Sequence, residues 1–180
     1  KNFIESNKYS LLITLGFFIV MYYVSSIHST FWTHPDGLFY LRIGEQTLAG
    51  NAKDVTLSGA TTGGGVLIAY INSFIQDGLV AGKMISLLSG TGIVFISYFI
   101  MRNFVNYKIA LVGQLFVAFN PRLNLLSVTA LNELLPIFLI FTSLYFVTKK
   151  DLKVNSIIIA GVILGISAMF RYQSIIVLIV

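Results

Sequence analysis

The sequence predicts an all-α, polytopic transmembrane helical protein with about five to six spans and a surface amphipathic helix in its first external loop. Composition is the first observation behind this prediction. Hydrophobic residues make up 56% of the 180 residues and charged residues only 11%, against roughly 25% charged residues in soluble domains. The second observation is a mean hydropathy of +0.85, concentrated in apolar runs close to the ~20 residues that cross a bilayer.

The apolar runs define the predicted spans in chain order. Basic residues bound several of these runs, and Arg122 can lie within a span if its side chain reaches back to the membrane surface. The spans are predicted at residues 9–27, 84–101, 109–121 with an extension to 128, 134–148 and 154–170, and a sixth begins at residue 172.

Charge and cysteine content exclude several classes of protein. The net charge is +5, but the basic residues form no stripe, so nucleic acid is not an expected partner. There is no cysteine, which excludes a disulfide framework and a thiolate metal site. Because the chain starts at Lys1 and ends within an apolar run, residues 1–180 are interpreted as the N-terminal transmembrane module of a longer chain.

The distribution of charge predicts the orientation, because basic residues in short loops favour the cytoplasmic side. We expect a cytoplasmic N-terminus in the plasma membrane of a prokaryote. Most basic residues then lie inside and five of the seven acids lie outside. Those five are Asp36, Glu45, Asp54, Asp77 and Glu133.

Residues 29–79 form the predicted first external loop. Pro35 and Asp36 are typical of a helix start and Gly50-Asn51 of a helix end, which predicts an amphipathic surface helix over residues 37–49. Residues 61–65 predict a flexible break, and the apolar residues 66–75 predict a short re-entrant or interfacial helix.

Four segments in this order resemble the membrane glycosyltransferases of the GT-C superfamily, most closely the protein O-mannosyltransferase and aminoarabinose-transferase branch. The first segment joins an acid and aromatics to a helix that ends at a glycine. The second begins a span, the third ends in a carboxylate, and the fourth is a Gly-rich span closed by a basic residue. They are residues 36–41 with Gly50, residues 83–90, residues 120–121 with 129–133, and residues 160–172.

The resemblance implies an inverting glycosyltransferase whose catalytic module lies within residues 1–180. It would move a sugar from a polyprenyl-phosphate donor to a hydroxyl of a protein, lipid or glycan on the extracytoplasmic face. Asp36 is the expected base, and Arg171 with Arg122 would hold the donor phosphate. Glu133 and Glu45 are expected as acceptor-binding or supporting acids. No cofactor is expected, because the loop lacks an Asp-x-Asp pair, although a divalent metal is left open.

Purely structural roles compete with these assignments. Asp36 can cap a helix, Glu133 can favour a helix N-terminus, and arginines at span ends often reach toward water. Arg42 can pair with Glu45 along one helix, and His28 with His34 lacks a third metal ligand. Gly161 and Gly165 predict close helix packing.

Two other functions are alternatives to sugar transfer. The chain could be a non-enzymatic subunit of a larger membrane complex, or a fragment of a transporter. Transporters are often built from inverted repeats with substrate near the midplane. Here no repeat is visible and the ionisable residues lie near the outer rim, which favours chemistry at the rim.

Overall fold

The computed structural model describes residues 3–27, 35–51, 63–171 and 174. Every regular element in these ranges is helical, which confirms the all-α class. The eight helices of this part of the chain are α1 (Phe3–Ile27), α2 (Pro35–Leu48), α3 (Gly63–Ile75), α4 (Gly78–Phe104), α5 (Tyr107–Ala118), α6 (Pro121–Val128), α7 (Leu134–Val147) and α8 (Val154–Phe170).

Two helices in the described ranges are long and apolar enough to cross a membrane, Asn7–Ile27 and α4. Helices α5 and α6 meet the same criteria as a pair, but a bend of 57° separates them. Helices α3, α7 and α8 are apolar but shorter. With 14 residues, α7 is ~21 Å long at ~1.5 Å per residue, below the ~30 Å of a bilayer core. Two or three candidate spans are therefore established.

The predicted count of five to six spans goes beyond these two or three and stays a prediction. It needs α7 and α8 to act as spans despite their length. The sixth predicted span, from residue 172, lies outside the described residues except for Ser174.

Helix α4 is the centre of the bundle, because α1, α2, α3, α5, α6 and α7 all contact it. It begins at Gly78 rather than at the predicted residue 84, since the Asp77 carboxylate caps it by accepting hydrogen bonds from the Leu79 and Val80 amides, both at 3.0 Å. This earlier start brings Lys83 inside the helix and into its buried set.

Small residues on α4 allow its neighbours to approach closely. A Cβ at Gly82 would overlap Ala130, and one at Gly90 would overlap the Ser127 side chain. Because backbones and short side chains meet directly at these positions, the end of α6 and the segment that follows it lie tightly against the N-terminal half of α4.

Helix α2 confirms that a helix follows Pro35, and one face of it is buried. Gly37, Ile43 and Gly44 are buried, whereas Leu38 and Leu48 are exposed. The buried face packs on α3, where the backbones of Gly44 and Gly65 are in contact. Its position at a membrane surface remains a prediction.

Residues 63–65 are not the flexible break that their composition predicts. They form the first turn of α3, and Gly64 and Gly65 are buried. The physical reason is space, because a Cβ on Gly64 would overlap the Asn132 side chain and one on Gly65 would meet the backbone of α2. These glycines therefore allow contact between elements.

Helices α7 and α8 pack through buried serines. Ser143 Oγ donates to the Ala160 carbonyl at 2.9 Å, and Ser167 Oγ donates to the Pro136 carbonyl at 3.0 Å. Gly161 and Gly165 lie on the other side of α8 and are exposed. A Cβ added at either position would have no described neighbour within 4 Å. The predicted packing role of this glycine pair is therefore wrong for the described part of the chain.

We predict opposite effects for alanine at two helical glycines. Gly44→Ala places a Cβ against the Gly65 backbone and should lower the free energy of unfolding by about 1–3 kcal/mol. Gly161→Ala meets no described atom and should raise it by about 0.5–1 kcal/mol. Denaturant unfolding in detergent, followed by circular dichroism, measures both. Equal effects of the two substitutions would contradict the packing of α2 on α3.

Candidate functional site

The candidate site is built on a non-helical segment between α6 and α7. We call residues Thr129, Ala130, Leu131, Asn132 and Glu133 the 129–133 connector. Three of its five residues are buried, and its backbone is held by several hydrogen bonds. Ser86 Oγ of α4 donates to the Leu131 carbonyl at 3.0 Å, and the Leu131 amide donates to the Thr129 carbonyl at 3.0 Å.

Glu133 at the end of the connector joins two arginines from different elements. Its Oε2 lies 3.7 Å from Arg122 Nη2, and its Oε1 lies 3.3 Å from Arg171 Nη1. The side chains of Arg122 and Arg171 are 71% and 41% exposed, and that of Glu133 is 29% exposed. Three residues predicted for the site from sequence are thus neighbours in space.

The start of α6 determines where the Arg122 side chain leaves the backbone. Asn120 caps α6 by accepting hydrogen bonds from the Arg122 and Leu123 amides, and Pro121 occupies the first turn. The Asn120 cap sets the start of α6, and a proline at the first helical position favours a helix that begins there. Arg122 therefore projects from the first turn of α6 beside the connector.

Arg171 is fixed through the end of α8. Its amide donates to the Ser167 carbonyl at 3.1 Å, which closes the helix. Asn132 Nδ2 of the connector donates to the Phe170 carbonyl at 3.1 Å. Because Asn132 is buried and ties the connector to α8, it holds Arg171 close to Glu133.

Glu133 occupies the N-cap position of α7 but makes no capping hydrogen bond with its side chain. A negative charge there still favours the helix N-terminus. The carboxylate instead faces the two guanidinium groups. With two formal positive charges and one negative charge, the Arg122–Glu133–Arg171 cluster carries a net charge of +1.

Asp36 lies in the first turn of α2 and is exposed. Its neighbour Gly37 is buried against the Ala130 carbonyl, where a Cβ would overlap the backbone. The start of α2 therefore lies directly on the connector, at the same end of the bundle as Glu133. Asp36 is the second residue of α2, where a negative charge also favours the helix N-terminus, so the structural alternative for this residue stays open.

Glu45 is further along α2. It lies nine positions after Asp36 in the sequence, which is about 14 Å along a helix axis. Among the described residues, Glu45 and Arg42 form no ion pair with each other. The supporting role of Glu45 stays a prediction.

An apolar groove of about 330 Å³ reaches Arg122 from within the bundle. Helices α4, α5, α6 and α7 contribute to it. Its apolar lining and the arginine at its edge suit an amphiphile with an anionic head. The lining residues are Ile93, Val117, Asn120, Arg122, Leu123, Leu126, Leu134, Ile137 and Phe141.

A metal site is not apparent in the described ranges, where no three His, Cys, Asp or Glu side chains come together. His28 and His34 lie outside the described residues. Binding of a divalent metal is therefore left open, as it was by the sequence.

Sequence reasoning gave no role to Asn132, Ser86 or Lys83, which the structure buries around the connector and the start of α4. Ser86 could have been identified from the sequence as a polar residue within an apolar run. For Lys83 the signal was the Asp77-Gly78 helix start, which extends the second span toward its N-terminus.

Comparison of the chain with protein-family models, with curated proteins and with solved structures gives no significant match. The case for a function therefore rests on the geometry of the chain's own residues.

We predict that the ion pairs of the cluster contribute little to stability. A double-mutant cycle of Glu133→Gln and Arg171→Met should give a coupling energy of about 0.2–1 kcal/mol, because partly exposed pairs are screened by water. Denaturant unfolding of the four proteins measures it. A coupling well above this range would make the cluster a structural lock and weaken a binding role.

Proposed function

We propose that the chain is the N-terminal membrane module of an inverting glycosyltransferase that uses a polyprenyl-phosphate sugar as donor. The observation that carries the proposal is the Arg122–Glu133–Arg171 cluster, of which Arg122 lines the edge of an apolar groove. A polyprenyl phosphate has the matching chemistry, since it joins a long apolar chain to an anionic head.

The arginines are suited to a phosphate that leaves as an anion. Guanidinium groups donate paired hydrogen bonds to phosphate oxygens, and these charge-assisted bonds are among the strongest in proteins. Glu133 keeps both groups side by side, which limits the loss of side-chain entropy when a ligand binds. The exposed faces of Arg122 and Arg171 remain accessible to the phosphate.

Asp36 is the proposed base. The acceptor hydroxyl oxygen attacks the anomeric carbon from the side opposite the phosphate, and the bond between that carbon and the phosphate oxygen breaks. The electron pair of that bond leaves with the phosphate, and the hydroxyl proton passes to the Asp36 carboxylate. One such displacement inverts the configuration at carbon. The contact of Gly37 with Ala130 supports this role, because it brings the start of α2 to the connector.

The membrane setting belongs to the same proposal. Lipid donors reach a site at a membrane edge sideways, which agrees with the apolar groove between α4 and α7. The proposal also includes five to six spans, a cytoplasmic N-terminus and an external acidic loop. The acceptor is a protein, a lipid or a glycan. No cofactor is required by this mechanism. Assembly with other membrane subunits is compatible with it.

We predict that Arg171→Gln weakens binding of a polyprenyl monophosphate by about ten- to hundredfold, the range expected for lost hydrogen bonds to a charged group. Arg122→Gln should have a smaller effect, because Arg122 is the more exposed. Native mass spectrometry in detergent, with the polyprenyl alcohol as a ligand without phosphate, measures binding.

Arg102→Gln is the matched control for this experiment. Arg102 donates to the Val105 carbonyl at the other end of α4 and should leave binding unchanged. Wild-type affinity in Arg171→Gln, or equal losses in Arg171→Gln and Arg102→Gln, would contradict the proposed phosphate site.

We predict that Asp36→Asn lowers the rate of sugar transfer by about 10²–10⁴-fold, the usual contribution of a general base. Lipid-phosphate binding should persist, because the base does not hold the donor phosphate. A radiolabelled or fluorescent transfer assay on the protein in its native membrane measures the rate. Asp151→Asn, an exposed acid before α8, is the control and should keep full activity. Full transfer by folded Asp36→Asn would eliminate Asp36 as the base.

A further inference from the structure

A separate cavity with charged and hydroxyl groups in its lining lies near the start of α4. It has a volume of about 470 Å³ and lies between the C-terminal end of α1 and the N-terminal end of α4. It shares no lining residue with the groove or with the arginine cluster. The lining residues are Tyr22, Ser25, Ser26, Asp77, Leu79, Val80, Lys83, Met84 and Leu87.

The cavity combines a cation and an anion. Lys83 is only 7% exposed, although lysine is almost never fully buried. Asp77 lines the same cavity, and its carboxylate is held in place by the two amides that it caps. The two formal charges cancel. A ligand with a single negative charge would meet Lys83 favourably but would also meet Asp77.

Hydroxyl groups from α1 complete the polar lining. Ser25 and Tyr22 bring O–H groups that can donate to an anionic oxygen. The Ser26 hydroxyl already donates to the Tyr23 carbonyl at 2.7 Å. Leu79, Val80, Met84 and Leu87 form the apolar part of the wall.

We propose that this cavity binds the headgroup of a zwitterionic phospholipid that carries a primary amine. The phosphate is bound by the Lys83 ammonium and the Ser25 hydroxyl, and the lipid ammonium is bound by the Asp77 carboxylate. Charge complementarity favours this occupant, because a neutral zwitterion matches a site with one charge of each sign. The two helices that form the cavity are the two candidate spans, so lipid lies beside its apolar wall.

The site is separate from sugar transfer. It uses none of the residues assigned to the base or to the donor phosphate, so lipid binding here and polyprenyl-phosphate binding at Arg171 can succeed or fail independently. A lipid bound between α1 and α4 would fix the start of α4, on which the connector rests.

Native mass spectrometry of the purified protein with dioleoyl-phosphatidylethanolamine or dioleoyl-phosphatidylglycerol tests the proposal. We expect the wild type to prefer phosphatidylethanolamine by about tenfold, the ratio given by one net charge-assisted contact. Lys83→Met, which keeps the apolar stem, should bind phosphatidylethanolamine about tenfold less tightly, because the phosphate loses its cation. It should still prefer phosphatidylethanolamine to phosphatidylglycerol, because the remaining Asp77 carboxylate disfavours a headgroup with a net negative charge. Lys108→Met, a lysine at the start of α5, is the control and should behave like the wild type.

Asp77→Asn is the more discriminating variant in this experiment, because asparagine keeps the helix cap but removes the negative charge. The site then carries a net positive charge, and we expect the preference to reverse toward phosphatidylglycerol. This arm also covers the case in which Lys83→Met fails to fold. Unchanged preference in Asp77→Asn, or wild-type binding by folded Lys83→Met, would overturn the proposal.

Soluble glycerophosphoethanolamine separates a lipid from a free headgroup. We expect it to compete only weakly, because it lacks the acyl chains that contact the apolar wall. Competition as strong as that of the intact lipid would contradict a lipid site and would indicate a small zwitterionic solute.

Discussion

The hydrogen bond from Ser86 Oγ to the Leu131 carbonyl holds together the part of the molecule on which the candidate site depends. The connector is non-helical backbone buried in an apolar bundle, and its polar groups must find protein partners there. Helix α4 meets this need with a serine, and its glycines allow the connector to come within reach. Larger residues on this face of α4 would push the connector outward and separate the elements that it joins.

The connector converts this packing into a charged site. Glu133 is its last residue, Ala130 contacts α2 through Gly37, and Asn132 is tied to the end of α8. Elements that are distant in sequence therefore present Asp36, Arg122 and Arg171 at one end of the bundle. In the proposed reaction, Glu133 acts indirectly by keeping the guanidinium groups together, and the net positive charge of the cluster favours an anion.

Much of the helix order followed from the apolar pattern, and a common site for Glu133 and the two arginines was expected from the family resemblance. The pattern could not give the early start of α4, which depends on the Asp77 cap, and so it missed the burial of Lys83. It also misjudged glycines. Those at residues 63–65 lie in close contacts, whereas a Cβ at Gly161 or Gly165 would have no described neighbour within 4 Å. Composition alone does not show which neighbour is near.

The most direct test of the lipid-phosphate site is photolabelling with a polyprenyl phosphate that carries a diazirine beside the phosphate. Peptide mapping should place the adducts on α6 and α7, at Arg122 or at groove residues such as Leu126 and Ile137. Excess unlabelled polyprenyl phosphate should abolish these adducts. Adducts spread over the exposed faces of α1 and α8, and insensitive to the competitor, would contradict a specific site and with it the proposed glycosyl transfer.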